Sequence, residues 1–279
     1  MDEPLADYLR AVVLGLLQAL TEFLPISSSG HLVLAPQLIG DQVSSLTFDV
    51  GLHLGTLAAV LVYFWRDWVA ITVALLRDVP RHALRVGRWS EPARLGLWIV
   101  VGTVPAVIVG ALLKDTLEGW FREPVAVAVS LLFFSGVIWT ADRLGAHRLG
   151  IADVTSRRAV AIGVAQAVAL IPGTSRSGIT IAAARGLGFD RTAAARFSFL
   201  LSAPAVAGAA VLTMGTALAE GEAVAWGPML VGALTAAAAG MLVIRGLLRY
   251  VQTRSLAVFM WYRVALGLAV LAAAAAGLI

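Results

Sequence analysis

The sequence predicts an all-α polytopic membrane protein with about six transmembrane helices and two re-entrant helical hairpins arranged as an inverted-topology repeat. Three observations predict it. The chain is 59% hydrophobic and only 14% charged over 279 residues, well away from the mix of roughly half apolar and a quarter charged that soluble domains show. Six stretches are long and apolar enough to cross a bilayer, which takes about 20 such residues. Two further apolar stretches are each interrupted by a proline and a Ser/Gly turn, and a shift of 148 residues lays one on the other.

The spans are expected over Phe48 to Phe64, Leu95 to Leu113, Pro124 to Ala141, Phe197 to Leu218, Gly227 to Leu248 and Leu256 to Ile279. The broken stretches, Leu9 to Ile39 and Ala159 to Leu187, are cut into halves too short to cross alone. They read as re-entrant hairpins, a form tolerated only where the exposed backbone is buried in protein or lines a polar cavity. Trp68 to Leu76 is a short amphipathic piece, either interfacial or a continuation of the helix before it. Asp2, Glu3 and Asp7 precede the first apolar segment where a cleavable signal would carry positive charge, so that segment reads as mature sequence.

Loop charge orients these elements. Arg77, Arg81, Arg85, Arg88 and Arg94 crowd one loop, Arg143, Arg148 and Arg157 another, and Arg245, Arg249 and Arg254 a third; the positive-inside rule puts all three in the cytoplasm. Arg185, Arg191 and Arg196 fall on the same side, and these loop arginines read as topology alone. A pI near 10.1 therefore reflects membrane orientation and excludes nucleic acid as the natural partner. With no cysteine, disulfides and thiolate metal sites are excluded too. Three spans, an odd number, separate the two hairpins, so one enters from outside and the other from inside. The repeats, approximately 9–141 and 159–279, are then inverted and their tips meet near mid-membrane, where transporters of this architecture keep their polar sites.

The chemistry sits on those tips. The first reads GLLQALTEFLPISSSGH from Gly15 to His31, the second GVAQAVALIPGTSRSGIT from Gly163 to Thr180. Gly15, Gln18, Ser27, Ser29 and Gly30 fall on Gly163, Gln166, Ser175, Ser177 and Gly178. Helices opening near Gly30 and Gly178 aim unpaired N–H groups and positive dipole ends at one point, which makes an anion site. Arg176 adds a planar cationic fork suited to phosphate, and Ser27, Ser28, Ser29, Ser175 and Ser177 add hydroxyls. Glu22 repels a phosphate, so it either shares a divalent cation with it or serves as a base. Gln18, four residues earlier, lies on the same helical face. His31 can exchange a proton near neutral pH, and Ser28 can attack phosphorus once a base takes its proton. Ionisable groups at membrane depth are costly and by default functional. Asp49 and His53, four apart on the first span, read as supporting or structural residues. Trp65, Trp68, Trp120 and Trp226 stand at span ends as interface anchors.

TEFLPISSSGH at Thr21 to His31 and PGTSRSG at Pro172 to Gly178, followed by Thr180, resemble the two signature motifs of the bacterial undecaprenyl-diphosphate phosphatases, the bacitracin-resistance or BacA-type family. The resemblance extends to FDVGLHLGT at Phe48 and WYRVALG at Trp261. It implies hydrolysis of undecaprenyl diphosphate to the monophosphate and phosphate on the outer face of the bacterial inner membrane, recycling the lipid carrier for cell-wall polymers. It implies a divalent cation, Mg2+ or Ca2+, as cofactor. It assigns catalysis to Glu22, Ser28, His31 and Arg176, substrate binding to Ser27, Ser29, Gly173, Thr174, Ser175, Ser177 and Thr180, and the metal to Glu22 with Gln18, where the family carries Glu or Gln. The partners implied are the polyprenyl diphosphate and membrane lipids, with room for a homo-oligomer. A transporter or flippase for a polyprenyl phosphate, using the same polar site without breaking a bond, is the competing reading.

Overall fold

The computed structural model describes residues 3–28, 30–31, 46–120, 123–145, 148–220 and 224–278. The side chains of 3, 4, 46 and 113–120 are not among them. Within these residues the chain is helical apart from turns and one isolated bridge between Leu149 and Phe189. Ten α-helices follow in order: α1 Glu3–Phe23, α2 Leu46–Tyr63, α3 Trp65–His82, α4 Glu91–Trp120, α5 Pro124–Leu144, α6 Ser156–Val168, α7 Arg176–Gly186, α8 Arg191–Ala219, α9 Trp226–Thr253 and α10 Ala257–Ala275. Five of them, α4, α5, α8, α9 and α10, are long and apolar enough to cross a membrane, and α2 joins them if it is counted with α3, from which it is bent by 73°. The six expected spans are thus all helices.

Two elements differ from expectation. The first half of the first broken stretch is longer than expected: α1 runs 21 residues, about 31 Å at the usual rise, because the helix continues through the polar N-terminal residues as far as Glu3, while most of the second half, residues 32–39, lies outside the described residues. The amphipathic piece at Trp68 is part of an 18-residue helix, α3. Its Ile71 and Ala74 are buried and Ile71 faces Gly96 of α4, while Val69, Val73 and Leu76 are exposed. The second broken stretch is as expected, with α6 of 13 residues and α7 of 11 meeting at the proline turn.

The same packing occurs twice. α1 lies along α9, and α6 lies along α4. In the first pair a Cβ at Gly15 would meet the Gly232 carbonyl at 2.5 Å, and one at Gly232 the Ala11 carbonyl at 3.2 Å. In the second, a Cβ at Gly163 would collide with the Gly102 carbonyl, and one at Gly102 would meet the Ala159 carbonyl at 3.1 Å. Gly15 and Ala11 are the 148-residue equivalents of Gly163 and Ala159. Small residues let these backbones touch, the usual means of association where lipid removes the hydrophobic drive between helices. α9 also packs on α2 as α4 packs on α8; α2 meets α8, and α5 meets α10.

Three arginines expected to serve topology alone do more. Arg185 is 1% exposed, and its Nε donates to Asp142 Oδ1 at 2.9 Å. Arg191 donates to the same carboxylate from Nε at 2.8 Å and Nη2 at 3.1 Å, and the Leu256 amide adds a fourth donor at 3.1 Å. Asp142 of α5 therefore ties α7, α8 and the start of α10 together. Arg196 pairs with Asp67 of α3.

Candidate active site

Both turns are built alike. Ser27 and Ser175 adopt left-handed backbone, at φ 79° and 73°, a region that costs a non-glycine residue on the order of 1–3 kcal/mol and tends to mark functional sites. Each then accepts, through Oγ, the amide of the glycine three residues on: Gly30 N to Ser27 and Gly178 N to Ser175, both at 3.2 Å. Each serine caps the helix that follows it, satisfying one of the amides that a helix start leaves unpaired. Ser28, Gly30 and His31 have helical backbone, as expected for a helix opening at Gly30.

The turns meet. Arg176 Nη2 donates to Glu22 Oε1 at 2.6 Å, and Ser177 Oγ donates to the Leu24 carbonyl at 3.2 Å, so the second turn is fastened to the first by both a charge pair and a neutral bond. Glu22 Oε2 accepts from Ser28 Oγ at 2.8 Å and from Gln18 Nε2 at 3.3 Å. The expected sharing of a helix face by Gln18 and Glu22 thus becomes direct contact. His53 Nε2 stands 3.7 Å from the same oxygen. Its Nδ1 donates to the Asp49 carbonyl at 2.8 Å, which turns Nε2 toward Glu22 and brings His53 closer to the chemistry than its spacing suggested. The carboxylate is nearly buried, at 8% exposure, among a guanidinium, a hydroxyl and an amide, all donors.

Of the other candidates, Ser175 Oγ lies 3.3 Å from Ser177 Oγ. Thr180 Oγ1 donates to the Arg176 carbonyl at 2.7 Å and pairs with Ser198 Oγ at 2.7 Å. Ser177 and Thr180 are both buried and engaged with protein, holding the turn that carries Arg176. Gly173 sits at φ 87°, with the Val127 carbonyl 2.7 Å from where a Cβ would be. Thr174 is buried and its Oγ1 has no hydrogen-bond partner among the described residues. Ser29 lies outside the described residues. His31 is near the cluster but its ring is otherwise engaged: Nδ1 donates to the Ser27 carbonyl at 2.7 Å, and Nε2 is 2.6 Å from Tyr262 Oη. Among the described residues the base that accepts from Ser28 Oγ is Glu22.

Sequence reasoning missed Tyr262 and Arg263. Arg263 is 0% exposed and donates from Nη2 to the Gly173 carbonyl at 2.9 Å and from Nε to Ser135 Oγ at 2.9 Å. The available signal was an arginine inside the last apolar span, which is costly at membrane depth.

For a divalent cation the donor set is hard oxygen. Among the described residues no three His, Cys, Asp or Glu side chains group together. However, Gln18 Oε1 is buried with no hydrogen-bond partner among the described residues, on the side chain whose amide nitrogen touches Glu22. One carboxylate, one unpartnered amide oxygen and the Ser28 hydroxyl make a partial shell of the kind Mg2+ accepts when substrate phosphates and water complete it.

The model of the bacitracin resistance protein BacA family matches residues 11–269. An undecaprenyl-diphosphatase of Geobacter sulfurreducens is 50% identical over 95% of this chain and 98% of its own length. Those of Desulforudis audaxviator and Chromohalobacter salexigens are 45% and 44% identical, over 94% and 95% of this chain and 96% and 98% of their own.

Proposed function

We infer the reaction from one premise: the chain belongs to the BacA family of bacitracin resistance proteins. It is a membrane phosphatase that hydrolyses undecaprenyl diphosphate to undecaprenyl phosphate and inorganic phosphate, which returns the lipid carrier to use. The observation that carries this reading onto residues is the run Ser28–Glu22–Arg176, a hydroxyl donating to a carboxylate that is itself paired with a guanidinium.

The residues act as follows. The diphosphate sits where the Ser28–His31 helix start and α7 present their amide N–H groups. Arg176 commits Nη2 to Glu22, while Nη1, among the described residues, makes a 3.5 Å contact with the Ser198 carbonyl and is the arm that takes a phosphate oxygen. Glu22 receives the Ser28 proton as Oγ attacks the terminal phosphorus; the bond from that phosphorus to the bridging oxygen breaks, and the lipid monophosphate leaves. Water then releases phosphate from Ser28, with Glu22 again handling the proton. His31 lines the same turn, its ring fixed at Nδ1 by the Ser27 carbonyl and at Nε2 by Tyr262 Oη. A divalent cation, Mg2+ or Ca2+, held by Glu22 and Gln18, would supply charge neutralisation on the diphosphate, the main demand of phosphoryl transfer. The remaining assigned groups, Ser27, Gly173, Thr174, Ser175, Ser177 and Thr180, shape the walls around the headgroup.

The halves 9–141 and 159–279 are inverted repeats in the plasma membrane with the site open toward the outer face. The doubled glycine crossings and the twin serine caps support the repeat, and the distribution of loop arginines supports the orientation.

Phosphate release from a prenyl diphosphate by the purified protein in detergent tests the reading. Wild-type turnover in both Ser28→Ala and Arg176→Ala would overturn the residue roles. Lipid movement in vesicles without phosphate release would mark a carrier instead.

A further inference from the structure

Two neighbouring side chains on α10 touch both broken turns at once. Tyr262 Oη lies 2.6 Å from His31 Nε2, the two rings being parallel within 2° with centroids 5.7 Å apart. Because the Ser27 carbonyl can only accept, His31 Nδ1 carries the hydrogen, and a neutral ring receives the tyrosine hydroxyl at Nε2. The next residue, Arg263, reaches the other turn. Its Nη2 donates to the carbonyls of Gly173 at 2.9 Å and Leu131 at 3.3 Å, and its Nε to Ser135 Oγ.

Packing alone does not account for this arginine. It is wholly buried, its bonds among the described residues go to two carbonyls and a hydroxyl, and Nη1 has no hydrogen-bond partner there. A charge so placed is expensive, and an apolar side chain of similar volume would fill the space at less cost. What the guanidinium supplies is a charged donor on the carbonyl of Gly173, three residues before Arg176, with its Nε braced on Ser135 Oγ of α5. That backbone is already confined, since the glycine holds φ 87° against Val127 and Ser130.

We propose that Tyr262 and Arg263 are positioning residues that reference the two turns to one helix: Tyr262 sets the His31 ring of the first, and Arg263 sets the backbone from which Ser175 and Arg176 of the second project. Successive residues on a helix diverge by about 100°, so one rigid element can reach both turns. A misplacement of about 1 Å in such a constellation can cost on the order of 100-fold in rate. The activity part of the inference rests on the phosphatase reading; the Tyr262–His31 contact does not.

The decisive variant is Tyr262→Phe, which keeps the ring and removes only the hydroxyl. The expected result is kcat lowered about tenfold with KM within about twofold, and no further loss when the same change is made in a His31→Ala background. Wild-type kinetics, or an equal loss in both backgrounds, would overturn the role of Tyr262. In parallel, 15N-histidine-labelled protein in detergent reports the contact directly. The His31 Nε2 resonance, identified by its disappearance in His31→Gln, should move in Tyr262→Phe, and an unmoved resonance would refute the bond. Were wild-type protein to release no phosphate, the phosphatase reading would fall while this spectrum still decided the contact. For Arg263, Lys retains the charge but not the fork. Arg263→Lys should raise KM about fivefold or more, with a thermal melt in detergent confirming that it folds, and unchanged KM and kcat would show Arg263 to be packing alone. Should Arg263→Lys not fold, Ser135→Ala, which removes the acceptor of Arg263 Nε, tests the same anchoring by the same KM readout, and an unchanged KM and kcat there would overturn the role of Arg263.

Discussion

Glu22 and Arg176, 154 positions apart in the chain, meet at 2.6 Å between Oε1 and Nη2, and this ion pair closes the gap between two turns of identical local build. Removing one partner strands the other. Arg176→Ala should abolish phosphate release and also destabilise the protein by about 3–5 kcal/mol, the usual cost of a buried charge left unpaired. Arg176→Lys should keep much of the stability, since the charge remains, but lose most of the activity, since the compact ammonium lacks the planar fork whose separate nitrogens reach Glu22 and a phosphate oxygen. Paired melting and turnover measurements separate the two effects.

Ser28 donates to Glu22 at 2.8 Å, which predicts that nucleophile and base fail as a unit. Ser28→Ala and Glu22→Gln should each lower kcat by at least about 100-fold, the lower end of what a general base contributes. The double variant should be little worse than either single one. Multiplicative losses would show that the two residues act independently.

Close helix crossings make a prediction away from the chemistry. A Cβ on Gly55 would collide with the Ala233 backbone carbonyl, whereas one on Gly136 would meet nothing within 4 Å. Gly55→Ala should destabilise by about 1–3 kcal/mol through overpacking, while Gly136→Ala, in a helix interior, should be neutral or stabilising by up to about 1 kcal/mol. Melting temperatures in one detergent decide both.

Much of this was legible in the chain because polar residues in an apolar sequence have few innocent uses. Glu22, Ser28 and Arg176 stand out for that reason, and the 148-residue match put the two turns side by side before any geometry. The exact pairing could not be read, since one ionisable group looks alike whether it binds substrate or another side chain. Ser177 and Thr180 illustrate this: their hydroxyls are engaged with Leu24, Arg176 and Ser198. Arg185 and Arg191 were indistinguishable from topology signals because what separates them from exposed loop arginines is Asp142, more than forty positions away. Helix lengths at α1 and α3 escaped hydropathy because both helices continue into polar sequence.

Beyond the bend, near the end of α3, Asp78 accepts from Arg77 Nε at 2.8 Å and from the amide and hydroxyl of Ser90 at 2.7 and 2.6 Å. These donors hold its carboxyl well below the usual carboxylate range. A depressed folded value means that the contact stabilises fully above the ordinary aspartate pKa, about 4, and fades as pH falls toward the folded value. Wild type should therefore melt above Asp78→Asn at pH 7, with the gap narrowing below about pH 4. A gap independent of pH would mean that the charge is not what Ser90 and Arg77 read.

Gln18 offers the sharpest test of the cation. Its Oε1 is buried without a hydrogen-bond partner among the described residues, while its Nε2 holds Glu22, so the side chain is fixed beside that carboxylate with its oxygen uncommitted there. Gln18→Glu replaces that neutral oxygen with a charged one. Without a cation, two carboxylates at this spacing repel each other and one is driven to bind a proton. With Mg2+ or Ca2+, both can bind, and added ligand charge tightens a hard-cation site. Activity of chelator-stripped protein titrated with Mg2+ should therefore reach half-maximum at a lower concentration in Gln18→Glu than in wild type. The two curves should converge at saturation, because the substitution changes how the metal is held and leaves Ser28 and Arg176 in place. Equal half-saturation in the two proteins would place the cation elsewhere, on the substrate phosphates alone.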